Sequence, residues 1–571
     1  MLRIFGYYGF GNCRKSLISR IEKAFKVKGM FNKYIVFNQR NIFLNYEMAK
    51  TDEAKNFYFV DKNKQIACFI VGNIYAYEGS PLEILAGRNI AKIVAQKYKV
   101  GGLGFIKKLR GVFNIILIDK KQVFLINDHL GFSPMYIYQT DLGILFCNEP
   151  EPIIWLNEKN RIDYTSTAEF LVYGFVPDGK TFISGLANQV PGTILKFRDK
   201  EISTKKYADF KPTNISGMPE REKIKSVGDV FRESVQIRSH GNNENVFLEL
   251  SGGWDTRFIL ANLISLNKKV FACTDAIRRE DLAIAKKIIR KMNLAHYIRE
   301  KFIDADSDER LFYDLTFLRR QTAKMAVKYK QAFPGKFKDL IGLKYFTLPR
   351  FTGLFGTEVL GFVPFWFTRT IKKDLLADGS RVFKKEFLFK ALKNKGGKKF
   401  TMQTSGQPNA IYDFVSQVSR TYLSAYPSQS WARPTKFFSY QFLHPFIDSK
   451  FVRLICAFES KKHMPYKLYE KVFKRHFPSY LKIPWTHQYM RRRNDMNTKA
   501  PDKSDGMPPD RMIYRDKEFI SFLKKSPIHK TDKAIGGNLK ELYFLFHWFK
   551  IYQSVLDPSD VRFFTGDTLN Q

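Results

Sequence analysis

The pattern of apolar and polar positions predicts alternating strands and helices in the middle of the chain. Residues 246–250 form a short β-rich apolar run, followed by a tight Ser-Gly-Gly turn and then by apolar residues at helical spacing over 258–264. A second apolar run at 270–277 precedes a strongly amphipathic helix at 280–294. Helices between strand-like runs indicate a parallel sheet, and such sheets bind ligands at the carboxyl ends of their strands.

The turn after the first of these strands is a candidate anion site. Free backbone N–H groups and the positive end of the helix dipole converge there, and Gly252 and Gly253 let the backbone approach a phosphate closely. Ser251 and Thr256 can add hydroxyl donors. Asp255 has the wrong sign for a phosphate site unless it holds a Mg²⁺ ion that bridges to the phosphates. A plain strand–turn–helix with a capped helix explains the same spacing.

The motif SGGWDTR resembles the SGG-x-D-S pyrophosphate loop of the asparagine synthetase superfamily, which includes the β-lactam synthetases and lasso-peptide cyclases. Thr256 replaces the usual serine and keeps the hydroxyl. The resemblance implies that ATP and Mg²⁺ are cofactors, that a substrate carboxylate attacks the α-phosphate, and that Asp255 is both catalytic and a metal ligand. The residues it assigns to ATP and pyrophosphate in this loop are Leu250, Ser251, Gly252, Gly253, Asp255 and Thr256.

Residues 351–362 resemble a second signature of that superfamily, SG-x-G-[AG]-D-E-x-x-G-G. The resemblance assigns Gly353 and Gly356 to nucleotide binding and Glu358 to catalysis and metal binding. Thr357 stands where the family has an aspartate that helps to hold Mg²⁺, and one carboxylate makes a weaker magnesium site than two. Glu358 is equally explained as a helix N-terminal acid that the helix dipole favours.

Further positions carry weaker assignments from the same resemblance. Thr274 and Asp275 would contact the adenosine, or they are ordinary loop residues. Asp448 would orient a helix that closes over the nucleotide, or it is a plain helix N-cap. Lys467 and the arginines at 491–493 are candidates for the basic catalytic group that neutralises the acyl-adenylate transition state.

The front of the chain resembles the class II glutamine amidotransferase domain of the same enzymes. Four segments carry this resemblance: residues 68–79, 108–119, 127–138 and 145–153. It implies an α+β sandwich like that of the N-terminal-nucleophile hydrolases.

The chemistry of that domain is nevertheless absent from the sequence. The second residue is leucine rather than cysteine, and Cys13 would need a cleavage to become the terminal nucleophile. Val71 replaces the oxyanion-hole asparagine, Asn73 replaces a glutamate, and the later acidic position falls at Arg88 or Asn89. We therefore predict that the domain does not hydrolyse glutamine.

These segments predict a two-domain α/β protein. A degenerate amidotransferase-like domain covers residues 1–210, and a linker with two prolines and one glycine covers 211–220. A parallel-sheet synthetase domain of the adenine-nucleotide α-hydrolase (PP-loop) type, with a helical C-terminal part, covers 221–571.

Composition adds expectations about partners and location. The net charge is +40, from 95 basic and 55 acidic residues, which suits an acidic polymer or an anionic membrane surface, and no nucleic-acid-binding module accompanies the charge. Solvated basic faces explain the charge equally well. Five widely spaced cysteines and the absence of a signal peptide favour the cytoplasm. A weakly charged stretch at 350–369 resembles a membrane span, but we interpret it as part of the active site.

The sequence thus predicts an ATP-dependent, AMP-forming amide ligase. It would adenylate a small-molecule or peptide carboxylate, which ammonia or a substrate amine then attacks; lasso-peptide cyclization and polysaccharide amidation are two candidate reactions. A pseudoenzyme or nucleotide-binding partner protein is the alternative. A thiouridylase-like RNA-modifying enzyme would need a cysteine near the nucleotide, for which Cys273 is the nearest candidate.

Overall fold

The structure is a computed structural model. The residues that it describes are 2–10, 19–20, 33–39, 41–48, 57–63, 65–77, 80–81, 89–157, 159–208, 210–239, 245–275, 279–299, 350–360, 383–392, 415, 442–458, 465–485, 517–526, 528 and 539–566.

The strands and helices alternate along the described chain as in a mixed α/β protein. The strands are β1 Leu2–Gly9, β2 Lys33–Gln39, β3 Ile42–Met48, β4 Tyr58–Val60, β5 Ile66–Tyr77, β6 Ser80–Pro81, β7 Leu109–Asp119, β8 Gln122–Asn127, β9 Tyr136–Thr140, β10 Gly143–Cys147, β11 Leu186–Asn188, β12 Thr193–Arg198, β13 Glu201–Lys206, β14 Asn245–Glu249, β15 Lys269–Asp275, β16 Ala295–Arg299, β17 Arg350–Phe351 and β18 Phe442–Leu443. The α-helices are α1 Ile90–Gly101, α2 Glu151–Leu156, α3 Tyr164–Tyr173, α4 Glu220–Ser239, α5 Trp254–Ser265, α6 Arg279–Met292, α7 Gly356–Val359, α8 Lys385–Leu392, α9 Ser449–Ile455, α10 Pro465–His476, α11 Lys517–Lys525, α12 Leu539–Tyr552 and α13 Pro558–Thr565. Short 3₁₀ helices are found at Gly104–Lys108, Pro478–Lys482 and Gln553–Val555.

Two antiparallel sheets form a sandwich at the front of the chain. One has the strand order β11-β9-β10-β1-β3-β2, and the other has the order β13-β12-β8-β7-β5-β4 with β6 added to β5. Alternate side chains of both sheets meet in one buried cluster, which includes Ile4, Tyr8, Phe69, Ile116 and Phe146. This packing follows from the period-two alternation of side chains along each strand.

The second sheet also has a covered outer face. Ala91, Val94 and Ala95 of α1 pack there with Cys68 and Ile115 from the strands. The described front of the chain is therefore an α+β sandwich, as predicted.

A five-stranded parallel sheet follows, in the order β16-β15-β14-β17-β18. β14 is the middle strand, and α5 and α6 connect it and β15 to the next strands. Parallel neighbours need such crossover helices, which is why strand-like and helix-like periods alternate here. The Ser-Gly-Gly turn lies at the carboxyl edge of this sheet, directly after β14.

The two parts of the chain are packed against each other through one large hydrophobic cluster. It includes Phe170 of α3, Phe258 of α5 and Phe564 of α13. The predicted linker takes part in it, since Ile215 is buried in the same cluster. Asp560 of α13 accepts a hydrogen bond from the Ile162 N–H at 2.8 Å, which ties the last described helix to the front of the chain.

Candidate functional site

The Ser-Gly-Gly turn joins a strand end to a helix start. Leu250 is buried, and its N–H donates to the carbonyl of Cys273 on β15 at 2.7 Å. Helix α5 begins at Trp254, directly after Gly253. The turn therefore has the two features of an anion-binding loop, namely a position at the carboxyl edge of a parallel sheet and the N-terminus of a helix.

The two hydroxyls predicted to bind phosphate also fix the shape of the turn. Thr256 Oγ1 accepts a hydrogen bond from the Ser251 N–H at 3.0 Å and lies 3.0 Å from Ser251 Oγ. Ser251 Oγ in turn accepts from the Gly253 N–H at 3.2 Å. Because these bonds use only the hydroxyl, threonine serves here as well as the serine of the family motif.

One amide of the turn already has an acidic partner within the chain. The Gly252 N–H donates to Asp281 Oδ1, on the first turn of α6, at 3.1 Å. A carboxylate at this amide is what an anion-binding turn favours. A phosphate at the same amide would have to displace Asp281.

Asp255 is held by donors that come from distant parts of the chain. Thr357 Oγ1 donates to Asp255 Oδ2 at 2.9 Å, and the Tyr469 hydroxyl donates to Asp255 Oδ1. The backbone N–H of Thr357 is a further donor. Burial raises the pKa of Asp255, and because these hydrogen bonds offset only part of that rise, the resulting pKa is about 6.

The glycines of the second signature lie against Asp255. A Cβ atom at Gly356 would stand 2.5 Å from Asp255 Cγ, and one at Gly353 would stand 2.9 Å from Asp255 Cβ. Any larger residue would push the segment away from the carboxylate. The spacing of these glycines is thus explained by a close approach of backbone to Asp255.

Glu358 is the second acid at this point. Burial, together with the smaller effect of the Asp255 carboxylate, raises the pKa of Glu358 to about 7. Two carboxyls that are costly to ionise together suit a divalent cation, because its charge would compensate both. The pair therefore fits the predicted magnesium site, although the described residues hold no group of three or more potential His, Cys, Asp or Glu ligands.

Helix α10 brings a tyrosine rather than a lysine to the site. Lys467 is exposed, and it forms no ion pair with Asp255 or Glu358, all three being among the described residues. Tyr469, two positions later, is buried and reaches Asp255. Trp254 stacks on the Tyr469 ring at 6.1 Å, so the loop itself helps to seat α10.

Arg257 fastens the segment after α10 to the loop. This fully buried guanidinium donates to the carbonyls of Ile483 at 2.8 Å and Pro484 at 2.9 Å, and to the Gly252 carbonyl at 3.2 Å. Burial lowers its pKa to about 10, so it stays charged at neutral pH. A positive charge is thereby held against the turn, where it favours a bound anion.

Thr274, Asp275 and Asp448 are further predicted positions that lie among the described residues. Thr274 is buried near the carboxyl end of β15, and Asp275 is the last residue of that strand. Asp448 caps α9 by accepting from the Lys450 and Phe451 N–H groups, and it also pairs with arginines of both parts of the chain. The arginines at 491–493 lie outside the described residues.

The described front domain has different side chains at the positions that the amidotransferase pattern assigns to its chemistry. Val71 is buried in the sandwich core, and Asn89 caps α1 by accepting from the Lys92 N–H. Burial raises the pKa of the Cys68 thiol, which keeps it protonated and weakly nucleophilic. Cys13 and Arg88 lie outside the described residues.

The basic residues of the chain include several runs in the second half of the sequence. The runs at 393–399, 461–462 and 491–493 lie outside the described residues, and Lys384 donates to the carbonyl of Ser526 at 2.8 Å. Among the helices that the structure describes, none combines the length and the apolar character needed to cross a bilayer.

Two residues of the site, and the hydrogen-bond partners of a third, carry no signal in the sequence. Tyr469 looks like an ordinary apolar position of an amphipathic helix, and Asp281 looks like an acid in a first helical turn. Arg257 follows the motif directly, so its position was visible, but its carbonyl partners were not.

Comparison with known proteins bears on the front of the chain. Residues 1–208 match the family model of the glutamine amidotransferase domain. The chain is also 25% identical over 237 residues to a protein called amidase chyE of Penicillium rubens. That alignment covers 37% of this chain but only 32% of the fungal protein.

Two solved structures are similar at low scores. One is a glutamine phosphoribosylpyrophosphate amidotransferase from B. subtilis complexed with ADP and GMP, with 10% identity, a TM-score of 0.27, and coverage of 56% of this chain and 70% of that one. The other is described as an allosteric regulatory enzyme of purine biosynthesis, with the same identity and score and 88% of that chain covered. Scores this low carry no inference. The first 208 residues are thus a glutamine amidotransferase-like domain on the family match.

Proposed function

We propose that this chain is an ATP-dependent amide-forming ligase that adenylates a carboxylate substrate. The observation that carries the proposal is the meeting of three features at one sheet edge: the turn at Ser251, the buried Asp255 beside Glu358, and the charged Arg257 behind the turn. This arrangement suits the pyrophosphate part of ATP, which needs backbone N–H donors, positive charge and a metal ion. The amidotransferase-like front domain supports a reaction in which an amide is made or transferred.

In this proposal each group of residues has its own role in the reaction. The hydroxyls of Ser251 and Thr256, and the Gly252 N–H once Asp281 is displaced from it, would bind the pyrophosphate, while Asp255 and Glu358 would hold Mg²⁺. Bound there, the ion would neutralise charge on the leaving pyrophosphate. A carboxylate oxygen of the substrate attacks the α-phosphorus and pyrophosphate leaves. A nitrogen nucleophile then attacks the acyl carbon, AMP leaves with the electron pair of the C–O bond, and the nitrogen loses a proton.

The nitrogen source in this proposal is ammonia or a substrate amine rather than glutamine. Val71 offers no side-chain hydrogen bond where an oxyanion would form, and the described strand β1 contains no cysteine. Product formation should therefore depend on added ammonium or amine, and it should not respond to glutamine. Release of glutamate during turnover would contradict this part of the proposal.

Exchange of labelled pyrophosphate into ATP tests the central step. A panel of amino acids, linear peptides and uronic acids is screened with Mg²⁺, and we expect at least one to support exchange. Asp255→Ala should abolish the exchange, whereas Asp229→Ala, which removes an exposed acid of α4, should leave it unchanged. Absence of exchange with every class of carboxylate would contradict the proposal.

A second candidate function is a nucleotide-binding protein without ligase activity. Two observations favour it: Thr357 replaces a metal-binding carboxylate, and Asp281 takes a turn amide. Thermal unfolding with ATP or AMP and Mg²⁺ separates the candidates, because a ligand raises the midpoint only if it binds the folded state. Stabilisation without exchange supports this second function, and no stabilisation contradicts both.

A further inference from the structure

An aromatic residue of the amidotransferase-like domain packs beside the candidate ATP site. Phe132 lies in the connection between β8 and β9, and its backbone N–H donates to Asp128 Oδ1 at 3.2 Å. Asp128 Oδ1 and Oδ2 also accept from Leu130 and Ser133 N–H groups at 3.0 Å. The connection is therefore a rigid support rather than a loosely held loop.

The Phe132 ring packs against a residue of the second signature. Its centroid lies 5.8 Å from that of Phe355 in an edge-to-face arrangement, and 5.4 Å from that of His444. Phe132 and Phe355 are both buried. Edge-to-face aromatic pairs have a preferred geometry, so the contact restricts where the Phe355 ring can lie.

Phe355 has a backbone conformation that a bulky residue rarely adopts. Its φ of +64° lies in the left-handed region, which favours glycine and asparagine. The next two residues are Gly356, whose backbone lies against Asp255, and Thr357, whose hydroxyl and N–H donate to it. A relaxation of Phe355 to negative φ would move both of these residues relative to the carboxylate.

We propose that Phe132 is a positioning residue for the candidate ATP site. By packing on Phe355 it holds the left-handed turn that aims Gly356 and Thr357 at Asp255. A domain without glutaminase chemistry would thus have a second use, as the support of the ligase site. The effect on the turn stands by itself, and only its consequence for nucleotide binding rests on the proposed function.

Hydrogen–deuterium exchange over residues 350–360 tests the effect on the turn. In Phe132→Ala we expect the Thr357 amide to exchange at least about tenfold faster than in the wild type, because its bond to Asp255 opens more often. Phe69→Ala is the matched control, since it removes an equally buried ring of the same domain from a different cluster. Phe132→Leu keeps most of the apolar volume and gives a readable result if the alanine variant does not fold. Unchanged exchange in Phe132→Leu and Phe132→Ala would overturn the proposal.

A double-mutant cycle tests whether the effect passes through Phe355. Glycine adopts positive φ without strain, so in a Phe355→Gly background the further change Phe132→Ala should alter Thr357 exchange by less than about twofold. A tenfold effect that persists in this background would show that Phe132 acts by another route and would overturn the assignment.

Calorimetric binding of ATP with Mg²⁺ to the same variants separates the two proposals. If the wild type binds ATP, Phe132→Ala binds it at least about tenfold more weakly and Phe69→Ala binds it as tightly as the wild type, both proposals are supported. If the wild type and Phe132→Ala bind ATP with equal affinity, the role of Phe132 in the ATP site is contradicted. If the wild type binds no nucleotide while the exchange result holds, the proposed function fails and the positioning of the turn stands.

Discussion

Asp255 is a buried carboxylate that two neutral donors hold in place. Thr357 stands where a second metal-binding acid is expected, and its hydroxyl donates to Asp255 instead. Tyr469 donates to the other carboxylate oxygen. These two neutral donors offset part of the cost of burying the carboxylate, and the raised pKa of Asp255 shows that they do not offset all of it.

The raised pKa values of this site predict a specific pH dependence. Burial raises the pKa of Glu358 to about 7 and that of Asp255 to about 6, above the value of about 4 expected in the unfolded chain. At pH values between the unfolded-state and folded-state pKa values, the two carboxyls therefore bind more protons in the folded state than in the unfolded state. The contribution of the pair to the free energy of unfolding should therefore fall as pH rises from about 4, the unfolded-state value, through the folded-state pKa values of about 6 and about 7.

Magnesium binding should follow the opposite trend, because the ion needs ionised carboxylates. Affinity should rise over the same range, and Glu358→Gln should flatten both profiles above about pH 6. Thermal unfolding of the wild type and of Glu358→Gln is measured across this pH range, in EDTA and in Mg²⁺. Subtracting one protein's profile from the other's cancels the contributions of the other titrating groups. Parallel profiles for the two proteins would refute the assignment.

A substitution at Thr357 tests whether the missing acid limits metal binding. Thr357→Asp adds a like charge beside Asp255, which should cost about 1–3 kcal/mol in the metal-free free energy of unfolding. The added ligand should strengthen Mg²⁺ binding at least about tenfold. Titration of Mg²⁺ by calorimetry measures this, with Thr357→Asn as the uncharged control. An equal Mg²⁺ affinity in both variants counts against a metal site here.

At the scale of elements, three segments meet over the start of α5. The turn after β14 presents Asp255, the segment between β17 and α7 covers it, and α10 closes the remaining side with Tyr469. Each segment is short or amphipathic by itself. Their close approach depends on the glycines of the covering segment, since no other residue leaves room for the carboxylate.

Gly356→Ala measures that close approach. The added Cβ atom would lie 2.5 Å from Asp255 Cγ, so α7 must shift. We expect a loss of about 1–3 kcal/mol in the free energy of unfolding and at least a tenfold loss of pyrophosphate exchange. Gly104→Ala is the control, because a Cβ atom there meets nothing within 4 Å. Stability is measured by denaturant unfolding and activity by pyrophosphate exchange. Equal losses in Gly356→Ala and Gly104→Ala would contradict the prediction.

At the scale of the molecule, a buried ionic network joins the two parts of the chain. Asp448 accepts from Arg110 of β7 at 2.8 Å and from Arg238 of α4 at 3.1 Å. Glu233 of α4 pairs with Arg110 and with Lys450 at 2.6 Å. The arginines lower the pKa of Asp448 despite its burial. The network fixes the amidotransferase-like sandwich against the helices beside the parallel sheet.

Removing the charge of Asp448 should destabilise the whole protein. Asp448→Asn keeps the N-cap of α9 but leaves two buried guanidiniums with less compensation, which should cost about 3–5 kcal/mol. Asp163→Asn is the control, because Asp163 caps α3 and pairs with no basic residue within the described chain. Denaturant unfolding would contradict the prediction if the two variants lost equal stability.

The same network predicts loss of stability in acid. The folded-state pKa of Asp448 lies below its unfolded value of about 4. Its contribution is therefore complete above that value and is lost as pH falls through the folded-state pKa. Asp448→Asn should lack this part of the acid transition.

The sequence by itself determined the local elements of the site. β14, the Ser-Gly-Gly turn and α5 follow from apolar periods and turn residues that lie within about twenty positions of one another. The glycines at 353 and 356, the acid at 358 and the strands of the front sandwich were predicted from the resemblance of short sequence segments to known families. Local chain geometry dictates these features, so a linear pattern can show them.

Only the tertiary structure decided what surrounds Asp255. Its donors Thr357 and Tyr469 lie 102 and 214 positions away, and Phe132 comes from the other part of the chain. Which face of α10 meets the loop depends on how helices pack on the sheet, so the sequence pointed to Lys467 and the packing brought Tyr469. Contacts of this kind arise from burial summed over the whole fold, and no local period records them.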